Sequence, residues 1–355
     1  MNAHAAPLLA VRAADLREPG EVRRLDAFVH DHPSAELFHR PQWSRGVERG
    51  CRQRSHYLVA EDGAGAIAGC LPLTEIRSRL FGNALVSAGF ATGGGILAAS
   101  DAAASALASA AWSLAKRLGC PSAELRGGPV PEGWRAKEGV YAAFARDLLG
   151  DPEKMLLAIP RRQRAEVRRA LTFGLETSAG TDRRHLQAFR RCYGESVRNL
   201  GTPVFPSPLF LAMAEEFGPD SDSVVVWKDG KPLSALFNFY FKGTAYAYWG
   251  GGVREARAVR ANDLVYFAFT RDAVERGCTR VDFGRSKIGT GAHARKRIWG
   301  FEERALVYAT RSADGAAVRD INPTSAKYRL KTELWAKLPL PVANALGPLI
   351  ARGLG

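Results

Sequence analysis

The run from Arg280 to Phe301, RVDFGRSKIGTGAHARKRIWGF, combines one carboxylate with a glycine-rich stretch and a dense set of cations. Alternation along a strand places Val281 and Phe283 on one face and Arg280 and Asp282 on the other. Asp282 can there accept a proton or orient an amine; a salt bridge with Arg280 or Arg285 is the structural alternative. His293 can titrate near neutral pH but stands alone on its loop, and Ser286 lacks the strand-to-helix G-x-S-x-G elbow of a hydrolase. Metal chemistry finds no support. Cys51, Cys70, Cys120, Cys192 and Cys278 have no C-x-x-C spacing, and the only close histidine pair, His30 and His32, would point to different sides of a helix. The cysteines read as reduced core thiols, and no metal site is expected.

A second run, YAYWGGGVREARAVRANDLVYF from Tyr246 to Phe267, sets Gly250, Gly251 and Gly252 between a strand-like and a helix-like segment. Such glycines serve either a tight turn with positive φ or the close approach of a ligand. No Walker G-x-x-x-x-G-K-[ST] pattern is present, nor a Rossmann G-x-G-x-x-G with its following parallel strand. Arg254, Arg257 and Arg260 follow the glycines. They read as solvated loop charge or as phosphate contacts beside a helix start.

The elements that must hold these residues occur twice. Gly93 to Gly95 precede a helical run that ends in Leu118-Gly119-Cys120 and leads to SAELRGG; Gly250 to Gly252 precede one that ends in Arg276-Gly277-Cys278 and leads to RVDFGRS. The interval from last glycine to cysteine is 25 residues in the first copy and 26 in the second. That match points to duplication of a whole domain. Asn262 and Asp101 are the expected caps of the two helices, and Gly277 and Gly119 their stops. Before each glycine run, turn signals divide the sequence into a three-stranded meander, as at Asp229-Gly230 and Lys242-Gly243. Two helical segments lie upstream of each meander: Glu21 to Asp31 and Pro41 to Gly50, then Asp182 to Asn199 and Ser207 to Phe217. The inferred unit is α+β with one mixed sheet, and the expected domains are 1–150 and 151–355.

A chain of 355 residues is long enough for two cores, and its 46% apolar and 24% charged residues are those of a globular protein. The start lacks the apolar centre of a secretory signal and no run is long enough to span a bilayer, which places the chain in the cytoplasm. A net charge of +14 favours an acidic partner: nucleic acid, a phosphorylated cofactor, an acidic carrier protein or an anionic membrane surface. Part of it is local, since IPRRQRAEVRR carries five arginines between Arg161 and Arg169 relieved by Glu166 alone. A solvated helix face explains such a run equally well.

The order of elements resembles the GNAT acyltransferase fold, and two copies in tandem resemble the FemABX aminoacyl transferases. The motifs FHRPQW, IPRRQRAEVRR, VRNLGTPVFP, YWGGG, RANDLVYF, VDFGRSKIGTG, RKRIWGFE and the tail LPLPVANALGPLI resemble, in that order, FemAB-related proteins associated with exosortase and PEP-CTERM systems. The resemblance implies an amide-forming acyl or aminoacyl transferase acting on a cell-envelope or exopolysaccharide precursor, with its chemistry mainly in the second copy. It implies an active site between the ends of the strands at Ala245 to Trp249 and Arg280 to Phe283. Lys296, shortly before Trp299-Gly300, looks like the family's lysine near the transferred acyl group, with Lys287 and Arg285 as further candidates. Lys296 and Asp282 are thus the expected catalytic residues. Trp43, Arg198, Asn199, Phe205, Tyr248, Trp249, Asn262, Arg285, Lys287 and Trp299 are expected at the substrate, and Gly251, Gly252, Arg257 and Arg260 at a donor's phosphates. The donor is acyl-CoA, an acyl carrier protein or aminoacyl-tRNA. A non-catalytic, degenerate binding module for an acidic or polysaccharide partner is the alternative. The apolar tail packs on the second domain or lies peripherally on the inner face of a membrane.

Overall fold

The computed structural model describes residues 9–313 and 326–355. The chain divides into two compact units, and neither is a continuous segment. In the first, α1 (Pro19–Asp31) and α2 (Pro41–Cys51) follow β1 (Ala10–Ala14), and the meander is β2 (Arg54–Glu61), β3 (Ile67–Ile76) and β4 (Ala84–Ser87). The short β5 (Leu97–Ala98) leads to α3 (Asp101–Arg117), β6 (Ser122–Arg126) and β7 (Arg135–Lys137). In the second, α4 (Pro152–Ala158) and α5 (Arg161–Leu171) lie between β8 (Tyr141–Asp147) and β9 (Glu176–Gly180). Then come α6 (Arg183–Asn199), α7 (Ser207–Phe217) and the meander β10 (Ser221–Lys228), β11 (Lys231–Phe241) and β12 (Thr244–Gly252). The helix α8 (Ala261–Glu275), β13 (Arg280–Lys287), α9 (Gly291–Ile298) and β14 (Glu302–Ala305) complete the repeat. After β15 (Tyr308–Ser312), α10 (Ala326–Ala336) and α11 (Leu340–Ala351) close the chain.

The first sheet runs β1-β2-β3-β4-β6-β15-β7, with β5 paired to β3, and the second β9-β10-β11-β12-β13-β8-β14. The two orders correspond strand for strand, with one exchange. β8 directly follows β7 in the chain yet enters the second sheet between β13 and β14, while β15 follows β14 and enters the first between β6 and β7. The expected single division near residue 150 is therefore corrected: the chain passes to the second unit at Gly139 and lends β15 back to the first. Antiparallel alternation looks the same in either sheet, so period alone could not assign these two strands.

Local chemistry explains the repeated helix ends. Gly119 and Gly277 are left-handed, at φ 67° and 78°, where a side chain would be strained. In each copy the following cysteine N–H donates 2.9 Å to a carbonyl five residues back, Ala115 or Ala273. The caps differ from expectation. Ser100, not Asp101, caps α3 by accepting from the Ala103 N–H, and α8 starts behind a left-handed Arg260. All five cysteines are unpaired thiols, four of them buried. The first core packs α3 against the sheet through Leu107, Ala111, Leu71 and Leu125.

Candidate active site

In the second unit β12 and β13 run parallel, paired only at Thr244↔Arg280, Ala245↔Val281 and Tyr246↔Asp282. β12 continues to Gly252 and β13 to Lys287 without further pairing to each other, so the sheet splays open beyond Asp282. On its other side β13 stays paired to β8, but the register slips: Asp282 faces Ala145 and Arg285 faces Ala143. Three steps along β13 thus match two along β8, a bulge at Gly284, whose φ is +65°. The extra residue overrides simple alternation. Asp282, Arg285 and Lys287 come onto one face, and Ser286 turns inward, 6% exposed. Asp282 Oδ1 accepts the Gly284 N–H at 2.5 Å. Arg280, one of the two alternative partners expected for Asp282, pairs with Asp147.

Over this bulge α9 delivers Lys296. Thr290 caps α9 by accepting the His293 N–H, and His293 is buried, its Nε2 2.8 Å from Glu303 and its ring edge-on to Phe144. The Lys296 Nζ donates to the carbonyls of Gly284 and Arg285, each at 3.1 Å, and lies 5.5 Å from the Phe144 ring centre. Burial pushes the amine down to about 8, opposed by the charge of Asp282. Arg285 lies over the Tyr141 ring at 4.6 Å. Among the described residues no group of three His, Cys, Asp or Glu could hold a metal ion.

The glycines Gly250 to Gly252 are not a loop. They are the last residues of β12, paired to Leu236, Ala235 and Ser234, and none has positive φ. Their missing side chains admit protein: a Cβ on Gly251 would overlap Ser196 and approach the Cys192 carbonyl on α6, and one on Gly252 would overlap Asn262. Of the two expected roles the positive-φ turn is corrected: at Gly251 and Gly252 the space of a side chain is taken by α6 and α8. Asn262 packs there with its Oδ1 accepting from Ser234 Oγ at 2.9 Å, which explains why it does not cap α8. The Val253 N–H donates to Leu233 and the Arg254 N–H to Glu195. Arg260 is ion-paired with Glu166 of α5 and donates to the Arg257 carbonyl, whereas the Arg257 side chain is exposed.

The other expected contacts separate into surface and core. Trp43 is fully buried in the first unit with Nε1 donating to the Gly89 carbonyl, and Trp299 is 3% exposed in a cluster with Ile159 and Val167. Both are core residues, because an indole buries more area than any other side chain. Trp249 is also buried, edge-on to Tyr248, Phe210 and Phe237, with the half-buried Phe205 6.4 Å away. Arg198 donates to the Ala336 carbonyl of α10, and Asn199 is exposed at the end of α6.

The same place in the first unit is filled. Counting from the matched cysteines, Glu124 corresponds to Asp282 and Arg126 to Gly284. β4 and β6 also part early, after Val86↔Glu124. Arg126 is 4% exposed there, bonded to Glu124 at 2.9 Å and to the carbonyls of Ala91 and Gly355. The first glycine run is sealed by the protein's own carboxylate, since the Gly94 N–H donates to Glu36 and a Cβ on Gly95 would overlap the Gly127 carbonyl. Burial pushes His39 down to about 4, and the neutral ring accepts from the Glu36 N–H and donates to the Gly95 carbonyl.

Residues 160–297 match the family described as Acetyltransferase (GNAT) domain. Among solved structures the chain is similar to FemX, at 15% identity and a TM-score of 0.64 over 81% of this chain and 95% of that one. It is similar to a tandem GNAT protein from the clavulanic acid biosynthesis pathway, at 14% identity and a TM-score of 0.56 over 87% and 100%. L-PGS from Bacillus licheniformis aligns at 13% identity and a TM-score of 0.54 over 92% and 99%. No curated protein matches the sequence. At such identities the likeness is one of fold. The chain has a tandem GNAT-like fold, α+β with two mixed sheets flanked by helices, and the match of residues 160–297 to the GNAT model supports an acyltransferase.

Proposed function

We propose that the second unit transfers an activated acyl or aminoacyl group to an amine, forming an amide. One observation carries the reading: where β12 and β13 part, a half-buried lysine is fixed on two bulge carbonyls next to a carboxylate. The amine of the acceptor attacks the carbonyl of a thioester or ester held between the strand ends. The oxyanion forms against the Lys296 ammonium, which at neutral pH is mostly charged. Asp282 takes the proton that the attacking nitrogen releases and hands it to the departing sulfur or ribose oxygen as the C–S or C–O bond breaks, so that the donor leaves as a thiol or hydroxyl. Arg285 and Lys287, brought to the Asp282 face by the bulge, and the exposed Arg257 are cations on the side from which a phosphorylated donor would enter. The first unit, with Arg126 in its opening and Glu36 on its glycine loop, is the degenerate copy.

Acyl-CoA, an acyl carrier protein and aminoacyl-tRNA all suit the charge. α5 buries Gln163, Val167 and Ala170 and leaves Arg161, Arg162, Arg168 and Arg169 exposed for an acidic donor. The acceptor class, a cell-envelope or exopolysaccharide precursor of an exosortase system, comes from the resemblance of the motifs. It is in keeping with FemX and L-PGS as neighbours in fold. Purified protein is to be incubated with labelled thioesters and labelled charged tRNA over an amine panel. Transfer lost about a hundredfold or more in Asp282→Asn and Lys296→Met, with folding intact, is the expected result. Undiminished function of both variants in cells would make the chain a binding module.

A further inference from the structure

The last two helices carry their hydrophobicity on the outside. α11 rests on the second unit through small residues: Ala343, Gly347 and Ala351 are buried, a Cβ on Gly347 would crowd Val204, and Asn344 lies against Gly194 of α6. Its large apolar residues recur at i, i+4 and i+7, and Val342, Leu346 and Leu349 are 41, 45 and 61% exposed. α10 repeats the inversion with Leu330 and Leu334 at i and i+4, 64 and 57% exposed. Five of the fourteen large apolar residues exposed among the described residues thus fall within twenty residues of chain. Single surface leucines need no partner, but a stripe on two consecutive helices does.

Charge selects the partner. Residues 326–351 contain Lys327, Arg329, Lys331 and Lys337 against Glu333 alone, a net +3 on the segment that shows the leucines. Exposed leucines on α10 and α11, with the exposed Lys331 and Lys337 between them in the chain, fit an anionic lipid surface, where leucines enter the acyl boundary and lysines remain at the phosphates. At 12 residues α11 is about 18 Å long, short of the ~30 Å needed to cross, and no helix among the described residues is long and apolar enough to do so. A helix of this kind lies in the interface plane.

We propose that α10 and α11 form a docking face for an anionic bilayer, whatever donor and acceptor the transferase uses. The test is co-sedimentation of the full chain with vesicles of phosphatidylcholine alone and with about 30% phosphatidylglycerol, at low and high salt. The chain should pellet with the anionic vesicles only, and less at high salt. Leu346→Ser/Leu349→Ser should lower that binding by roughly tenfold or more with an unchanged melting temperature, because both side chains already face solvent. Lys337→Glu should weaken it, and Leu80→Ser, an exposed leucine in the first unit, should leave it unchanged. Equal binding to neutral vesicles, or wild-type binding by the double variant, would overturn the proposal. So would a wild-type dimer that ignores vesicles and that the double variant converts to monomer, which would assign the face to a second copy of the chain. The readout is independent of transfer activity, so either reading can fail alone.

Discussion

Replacing Lys296 by methionine separates the buried amine from every other feature of the site. Burial holds this lysine at about 8, against 10.5 for an exposed one. Between those values the unfolded chain binds a proton that the folded chain does not, so the free energy of unfolding rises with pH across that window. At pH 7 folding keeps a charge on a buried amine at a cost of about 3 kcal/mol, and by pH 10 that cost has fallen below about 1 kcal/mol. Methionine fills similar volume and has nothing to titrate. The stability of wild type relative to Lys296→Met should therefore improve by roughly 2–3 kcal/mol between pH 7 and pH 10. The absolute offset also contains the two lost hydrogen bonds to Gly284 and Arg285, but that part does not vary with pH, and groups shared by both proteins cancel. Urea unfolding followed by tryptophan fluorescence at the two pH values measures the difference. Curves whose separation stays constant within about 0.5 kcal/mol would show that the amine is not held in a desolvated site. In transfer assays the wild-type rate should fall as pH rises through about 8, where the ammonium facing the oxyanion is lost.

Gly251→Ala should lower stability by about 1–3 kcal/mol, since its Cβ meets Ser196 and the Cys192 carbonyl; an unchanged melting temperature would mean that the close approach of α6 is not what requires glycine. At Gly284 space is free but φ is +65°, so Gly284→Ala should cost about 1–2 kcal/mol through the backbone alone and also reduce transfer by disturbing the carbonyls that hold Lys296. Arg126→Leu should destabilise the first unit by about 1–3 kcal/mol, because the Ala91 and Gly355 carbonyls lose their donor and Glu124 loses Arg126, which lies nearer to it than Lys137, while transfer per folded molecule is retained. Loss of transfer in a folded Arg126→Leu protein would place chemistry in the first unit after all.

What the sequence determined by itself was local and repeated. The glycine that ends each main helix, the cysteine after it and the meander turns before it are set by φ preferences and short-range hydrogen bonds, so the α+β duplication could be read from spacing. Asp282 was singled out from its place on a short strand, whereas Lys296 was expected from the resemblance alone, as a lysine shortly before a Trp-Gly pair. Tertiary structure decided the rest. β8 and β15 alternate in the same way whichever sheet they join, and only long-range pairing sends each to the other half. Gly284 reads in sequence as one more strand residue, yet one bulge brings Asp282, Arg285 and Lys287 to a common face. Trp43 and Trp299 are the same residue type whether they line a cleft or fill a core, and burial alone distinguishes them. Where the strands part, the units differ at one matched position: an arginine fills the opening of the first, whereas a glycine leaves that of the second to a lysine arriving from a later helix. Side-chain volume at that point, multiplied by no sequence period, is fixed only when the two strands are laid side by side.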